Sequence, residues 1–349
     1  MQRFRLAENY EISRVVRGGW QMADGHGAAD NNAAVADMVA FADAGITTFD
    51  CADIYTGVED LIGRFRTVYK NLRGEKALDR IRVHTKFVPD LDILRQITKA
   101  DVTRVIDQSL RRLQAERLDL VQFHWWDYGA PQWLETAHWL DDLRKAGKIE
   151  CLGGTNFDTE HVLAMVADGV PLISMQVQYS LLDSRPAKTM IPAVTERGIG
   201  LLCYGTVAGG FLSDRWLGVS EPTEPLENRS LVKYKLIIDD LGGWDLFQAL
   251  LAVLREIADR HAADIATVAS AVVLTRPGVA GVIVGARNRS HLPSNLAISN
   301  LALTPDDMAQ VDGVLAQAKP LAGDVYALER DRNGSHGSIM KYNLNKSTA

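Results

Sequence analysis

The chain repeats one pattern eight times: a short apolar run ending in a polar or glycine-rich turn, then a longer stretch whose apolar residues recur at helical spacing. The strand-like runs are Val15 to Gly18, Thr47 to Phe49, Ile81 to Thr85, Leu118 to Phe123, Ile149 to Gly153, Leu172 to Gln178, Ile199 to Tyr204 and Gly281 to Val284. The spacing predicts helices over Ala33 to Ala44, Val58 to Arg73, Thr98 to Arg112, Trp133 to Lys145, Thr159 to Asp168, Pro186 to Arg197, Leu246 to His261 and Ile265 to Thr275, with a last one from about Asn288 to Ile298. In the third of these Val102, Val105, Ile106, Ser109, Leu110 and Leu113 share one face. Strands joined by helical crossovers pair in parallel, and eight such units with no composition break predict an α/β chain closed into a (β/α)8 TIM barrel. A length of 349 residues suits this, because such barrels run to ~250 residues or more as one domain.

Residues 1–317 are therefore expected to form one barrel unit and 318–349 a C-terminal extension. Phe4 to Leu6 and Tyr10 to Ile12 predict an N-terminal β-hairpin around Ala7-Glu8-Asn9. Thr206 to Gly243, rich in Gly, Pro, Ser and Glu, reads as an extended loop after the seventh barrel strand, longer than a plain connection needs. The extension loses helical periodicity around Asn333-Gly334-Ser335-His336-Gly337, which leaves two outcomes open: partial disorder, or packing across the barrel mouth.

Composition narrows the function classes. With 47% of residues hydrophobic a large core is available, and a formal charge of −6 argues against a nucleic-acid partner. Cys51, Cys151 and Cys203 are odd in number and lack a C-x-x-C spacing, so a reducing, cytoplasmic setting is expected and a zinc site is not. No run approaches the ~18 apolar residues of a membrane span, and Met1 to Trp20 has no signal-like apolar core. Metal-ligand spacings, a G-x-S-x-G elbow, a P-loop and a strand-linked G-x-G-x-x-G are all missing from the sequence.

In such a barrel the chemistry sits at the C-terminal ends of the strands. Asp50, Lys86 and His124 end the second, third and fourth strands, and Tyr55 follows in the second loop. This set, in residue type, order and strand position, resembles the catalytic tetrad of the aldo-keto reductases. The segment TTFDCADIYTGVEDLIG from Thr47 to Gly63 is similar to that family's signature. Each role has a physical reason: a carbonyl that accepts hydride develops oxyanion charge, and a phenol of pKa near ~10 is a poor acid at neutral pH. An ammonium at Lys86 would lower the Tyr55 pKa, Asp50 would hold Lys86 charged, and His124 would donate or accept a hydrogen bond at the substrate oxygen.

The resemblance extends to the hydride donor. Thr155 and Asn156 in GGTNF, and Gln176 on the sixth strand, match residues that hold a nicotinamide carboxamide; Tyr204 matches the aromatic that stacks on its ring. AGGFLSDRW, with Gly210, Leu212, Ser213 and Arg215, is similar to a pyrophosphate loop. GARNRSHLPSN, with Gly285, Arg287, Asn288, His291 and Asn295, would meet the 2′-phosphate and adenine at a helix N-terminus. Three positions depart from the family pattern: Gly205-Thr206 stand for Ser-Pro, Asp214 for a glycine, and His291 for an arginine or glutamine. Arg287 and Arg289 favour NADP(H), with NAD(H) kept open. Trp20, with Trp125, Trp126 and Tyr128 beyond His124, is expected to line an aromatic pocket for a small carbonyl, alcohol or sugar. What the resemblance implies is NADP(H)-dependent carbonyl reduction, or the reverse oxidation, with Tyr55 as acid and base. Two alternatives remain: a cofactor-binding regulatory subunit of the channel-associated type, and a non-redox sugar-handling barrel.

Overall fold

A computed structural model describes residues 1–23, 31–286 and 288–345. Among the described residues ten strands form, β1 (Arg3–Ala7), β2 (Tyr10–Ser13), β3 (Val15–Gly18), β4 (Thr48–Asp50), β5 (Arg82–Phe87), β6 (Leu118–Phe123), β7 (Ile149–Thr155), β8 (Leu172–Gln178), β9 (Gly200–Tyr204) and β10 (Val279–Gly285). The last eight close into a parallel barrel in sequence order, with β10 returning to β3, so the chain is a (β/α)8 TIM barrel. Pairs β1 and β2 make an antiparallel hairpin. Its Leu6, Tyr10 and Ile12 pack with Val16, Leu120, Leu202 and Ala280, forming an apolar floor at the N-terminal end of the barrel. The opposite, C-terminal end is left for chemistry.

The helices are α1 (Asn31–Asp43), α2 (Val58–Arg73), α3 (Glu75–Leu78), α4 (Lys99–Arg112), α5 (Trp133–Lys145), α6 (Thr159–Ala167), α7 (Arg185–Lys188), α8 (Met190–Thr195), α9 (Arg229–Leu241), α10 (Trp244–Arg260), α11 (Ile265–Thr275), α12 (Leu292–Ile298), α13 (Pro305–Leu315), α14 (Ala327–Arg330) and α15 (Ser335–Ser338). Local chemistry sets several ends: Thr98 and Asp101 form a reciprocal capping box at the start of α4, and Gly74 stops α2 at positive φ.

Several elements differ from the sequence expectation, α13 among them, which that expectation does not contain. The loop after the seventh barrel strand contains α9, capped by Asn228 and burying Leu231, Tyr234, Ile237, Ile238 and Leu241 at helical spacing. Its signal is hidden in sequence by the Pro- and Glu-rich flank. The expected helix from Pro186 to Arg197 splits into α7 and α8 at Thr189, whose ψ of −44 goes with a φ of −127. Past β10 the regular helix begins only at Leu292, after a single 3-10 turn over Arg289–His291.

The extension beyond Ala318 crosses the C-terminal end of the barrel. Asn345 donates to Asp90 and to the Val88 carbonyl after β5, and the Leu91 amide donates to the Tyr342 carbonyl. Glu329, fully buried, sits between Arg185 and Lys233 at 3.1 and 3.4 Å. Arg185 in turn pairs with Asp183 at 2.7 Å. These are desolvated charges, held by partners on every side.

Candidate active site

Along each barrel strand alternate side chains enter the barrel, so residues two apart share the interior. This brings Asp50, Lys86 and Gln122 together beneath the mouth, with His124 one step higher. The Lys86 Nζ donates to Asp50 Oδ2 and to the Cys51 carbonyl, both at 2.7 Å. The other Asp50 oxygen accepts from Gln122 Nε2 at 3.0 Å and Gln176 Nε2 at 2.6 Å, so four strands are tied at one carboxylate. The Asp50 backbone is held as well, because Gly19 N donates to its carbonyl at 2.7 Å; a Cβ at Gly19 would stand 2.8 Å from that oxygen. Lys86 Nζ lies 5.1 Å from the centre of the Tyr55 ring, and Trp20 meets that ring edge-on at 5.0 Å.

The charges decide what these groups can do. Burial opposes the Lys86 ammonium, yet Asp50 and Tyr55 together outweigh it and the lysine pKa ends above its usual value. Burial raises the Tyr55 pKa, and Lys86 pulls it down by less than that. The expected lowering of the phenol pKa is therefore not reached, because burial outweighs the Lys86 ammonium and the Asp50 carboxylate adds to the rise. His124 Nδ1 lies 3.1 Å from the Thr155 carbonyl, to which it must donate. Burial first, then Arg330 and Lys86, push its pKa down to about 3. The imidazole is neutral, and its Nε2, buried without a partner among the described residues, carries a lone pair. Of the two hydrogen-bonding directions expected for His124, only acceptance at Nε2 is open.

The residues expected to hold a cofactor divide into groups. Thr155 and Asn156 end β7; Asn156 is held at φ 60, its amide donating to the Gln176 carbonyl and its Oδ1 accepting from the Tyr204 hydroxyl at 2.9 Å. Gln176 has spent its amide protons on Asp50 and Gln122, which leaves its Oε1 as the free end. Gly210 has a φ of 107, and its carbonyl accepts from Ser213 Oγ at 2.6 Å, shaping the turn that Leu212 anchors in the core. Arg215 is exposed, paired with Glu227 at 3.0 Å. Asp214 is drawn away from that turn: Arg255 holds its carboxylate, which also accepts from the Ile265 amide at 3.2 Å. Beyond Gly285, Asn288 accepts from the Ser290 amide and hydroxyl, and His291 is exposed. Arg287 lies outside the described residues. Asn295 is buried on α12, and its Nδ2 has no partner among the described residues. An orphaned buried donor there, and an orphaned acceptor on His124, fit a site that a bound nicotinamide dinucleotide and substrate would complete.

Trp125 is corrected by the structure. Its side chain is fully buried, packs on Phe123 and donates to the Asp127 and Ala130 carbonyls at 3.0 and 3.1 Å. It points away from His124 because the two are adjacent on an extended segment. Trp126, expected in the same pocket, lies against His124, ring centres 4.2 Å apart. Gln122 was missed, although its place two residues before His124 marks it as interior. Tyr326 and Arg330, which also reach His124 and its surroundings, carry no sequence signal because they arrive from the extension.

The profile of the Aldo/keto reductase family matches residues 14–316. The chain belongs to that family. It is thus an oxidoreductase of carbonyl and alcohol groups, in a family that works with NAD(P)H on small molecules. It is 26% identical over 321 residues to the aldo-keto reductase YhdN of Bacillus subtilis, covering 87% of this chain and 90% of that one. It is 28% identical over 281 residues to the chloroplastic pyridoxal reductase of Arabidopsis thaliana, covering 77% and 72%. The fold resembles the glycerol dehydrogenase AKR11B4 of Gluconobacter oxydans, with a TM-score of 0.76, 23% identity and coverage of 92% and 97%. Among the described residues no helix is long and apolar enough to cross a membrane.

Proposed function

We propose that the protein reduces an aldehyde or ketone with NADP(H), or oxidises the corresponding alcohol or sugar, with Tyr55 as proton donor and acceptor. The observation that carries this is the buried Lys86–Asp50 pair, 2.7 Å apart, beneath the Tyr55 ring. A bound nicotinamide would supply the hydride to the carbonyl carbon, or take it from the alcohol. In reduction the oxygen gains the Tyr55 proton, and the phenolate left behind is stabilised by the Lys86 ammonium. In oxidation Tyr55 takes the hydroxyl proton. Thr155, Asn156 and Gln176 would hold the carboxamide, Tyr204 the ring face, the Gly210 to Arg215 turn the pyrophosphate, and Arg287, Asn288, His291 and Asn295 the adenosine end.

The neutral His124 bears on substrate. A lone pair at Nε2 accepts from an O–H, which favours alcohols and carbonyl compounds with a neighbouring hydroxyl, sugars included. For the cofactor, the pairing of Asp214 with Arg255 removes the negative charge that would oppose a phosphate, and the exposed Arg289 supports NADP(H). The three cysteines are free, which supports a reducing cytosol as its setting.

The test is Tyr55→Phe. Its turnover with a hydroxy-aldehyde panel should fall on the order of 100-fold or more, the range of general acid catalysis, while NADPH binding by fluorescence titration stays near the wild-type value. Undiminished turnover sinks the role of Tyr55; tighter binding of NADH than NADPH sinks the cofactor preference.

A further inference from the structure

We propose that Arg330, on the C-terminal extension, is a positioning residue of the active site: its guanidinium splints the turn after His124 to the turn after Thr155. It donates to the Trp125 carbonyl at 2.6 Å and the Trp126 carbonyl at 3.0 Å through Nη1, and to the Asn156 carbonyl at 2.6 Å through Nη2. These are the carbonyls of the two residues that follow His124, and of Asn156 itself. Ends of parallel strands carry carbonyls that no further ladder satisfies, and a planar fork of donors suits three of them at once. Tyr128 fixes the plane of the fork, its ring centre 4.0 Å from the guanidinium carbon. The neighbouring Glu329 fixes its position along the chain through Arg185 and Lys233.

Two consequences follow for the site. Asn156 sits at φ 60, a conformation that a non-glycine residue keeps only when its surroundings impose it. Arg330 at its carbonyl, Gln176 at its amide and Tyr204 at its side chain are what impose it here. His124 is likewise oriented by the Thr155 carbonyl, so a shift of the β7 end relative to the β6 end turns its Nε2 away from the substrate oxygen. Arg330 touches neither substrate nor cofactor in this scheme; it acts through the two turns.

The inference rests on the NADP(H) reading above, and the experiment separates them. In Arg330→Ala, kcat is expected to fall on the order of 100-fold, the effect of about 1 Å of misplacement. NADPH should bind about 10-fold more weakly, while 2′,5′-ADP, which lacks the nicotinamide, binds as it does to wild type. Added guanidinium should restore part of kcat in Arg330→Ala. Arg330→Lys, with a single ammonium unable to span both turns, should lie between the two, and it decides the matter if the alanine variant does not fold. Asn345→Ala, which loosens the far end of the extension at Asp90, should keep wild-type kinetics. Equal loss of NADPH and 2′,5′-ADP affinity, wild-type kinetics in Arg330→Ala, or the same loss in Asn345→Ala overturns the proposal. Wild-type protein that neither binds nor turns over NADPH overturns the underlying reading instead.

Discussion

Glu329→Gln tests how the extension is held. The carboxylate is fully buried between Arg185 and Lys233. Burial alone would raise its pKa, but Lys233 and then Arg185 outweigh it and bring the value from 4.5 down to about 2. A difference of that size corresponds to about 3 kcal/mol of stability at neutral pH. Removing one partner from a buried pair independently suggests ~3–5 kcal/mol. Because folding depresses this pKa, the contribution is complete above the unfolded value near 4.5 and drains as pH falls toward 2. At pH 3.5 the unfolded carboxyl is mostly protonated, and about 2 kcal/mol should remain. Equilibrium denaturation of wild type and Glu329→Gln should therefore differ by about 3 kcal/mol at pH 7 and by about 1 kcal/mol less at pH 3.5. Equal stability at pH 7, or a difference that does not change with pH, refutes the account of the latch.

Other outcomes can be checked alongside. His84 and His124 are both held down to about 3 by burial, so their neutral forms stabilise the fold fully above pH ~6.5 and progressively less below it. The unfolding free energy measured in denaturant should fall as pH drops from 6.5 toward 3, with a slope of ~1.4 kcal/mol per unit for each histidine; a flat profile counts against their burial as neutral groups. Asp50→Asn leaves the Lys86 ammonium buried without its counter-charge and should cost ~3–5 kcal/mol in denaturant while lowering kcat; unchanged stability would mean the pair is solvated. Asn295→Ala should weaken NADPH binding by roughly 5- to 10-fold yet leave the melting temperature without added cofactor nearly unchanged, since its Nδ2 has no partner to lose among the described residues. Gly63→Ala puts a Cβ 2.2 Å from the Arg112 carbonyl, where α2 crosses the end of α4, and should destabilise by at least ~1–3 kcal/mol.

The barrel was legible in the chain because each of its units is a local event: an apolar run, a turn, an amphipathic helix, repeated in register. The strand ends that carry Asp50, Lys86 and His124 followed from that alternation, and Tyr55 from its distance along the loop. Long-range matters were not legible. That Gln122 and Gln176 share Asp50, that His124 is a neutral acceptor, and that Trp125 faces the core while Trp126 faces the site depend on side-chain direction and burial across four strands. The extension is the extreme case, since Glu329 meets Arg185, 144 residues earlier, and Arg330 meets Trp125, 205 residues earlier. Alone, the sequence determined the repeating units and the polar residues that end them. Tertiary structure decided which of those residues touch, and with what charge, because desolvation and pairing exist only once distant segments exclude water together.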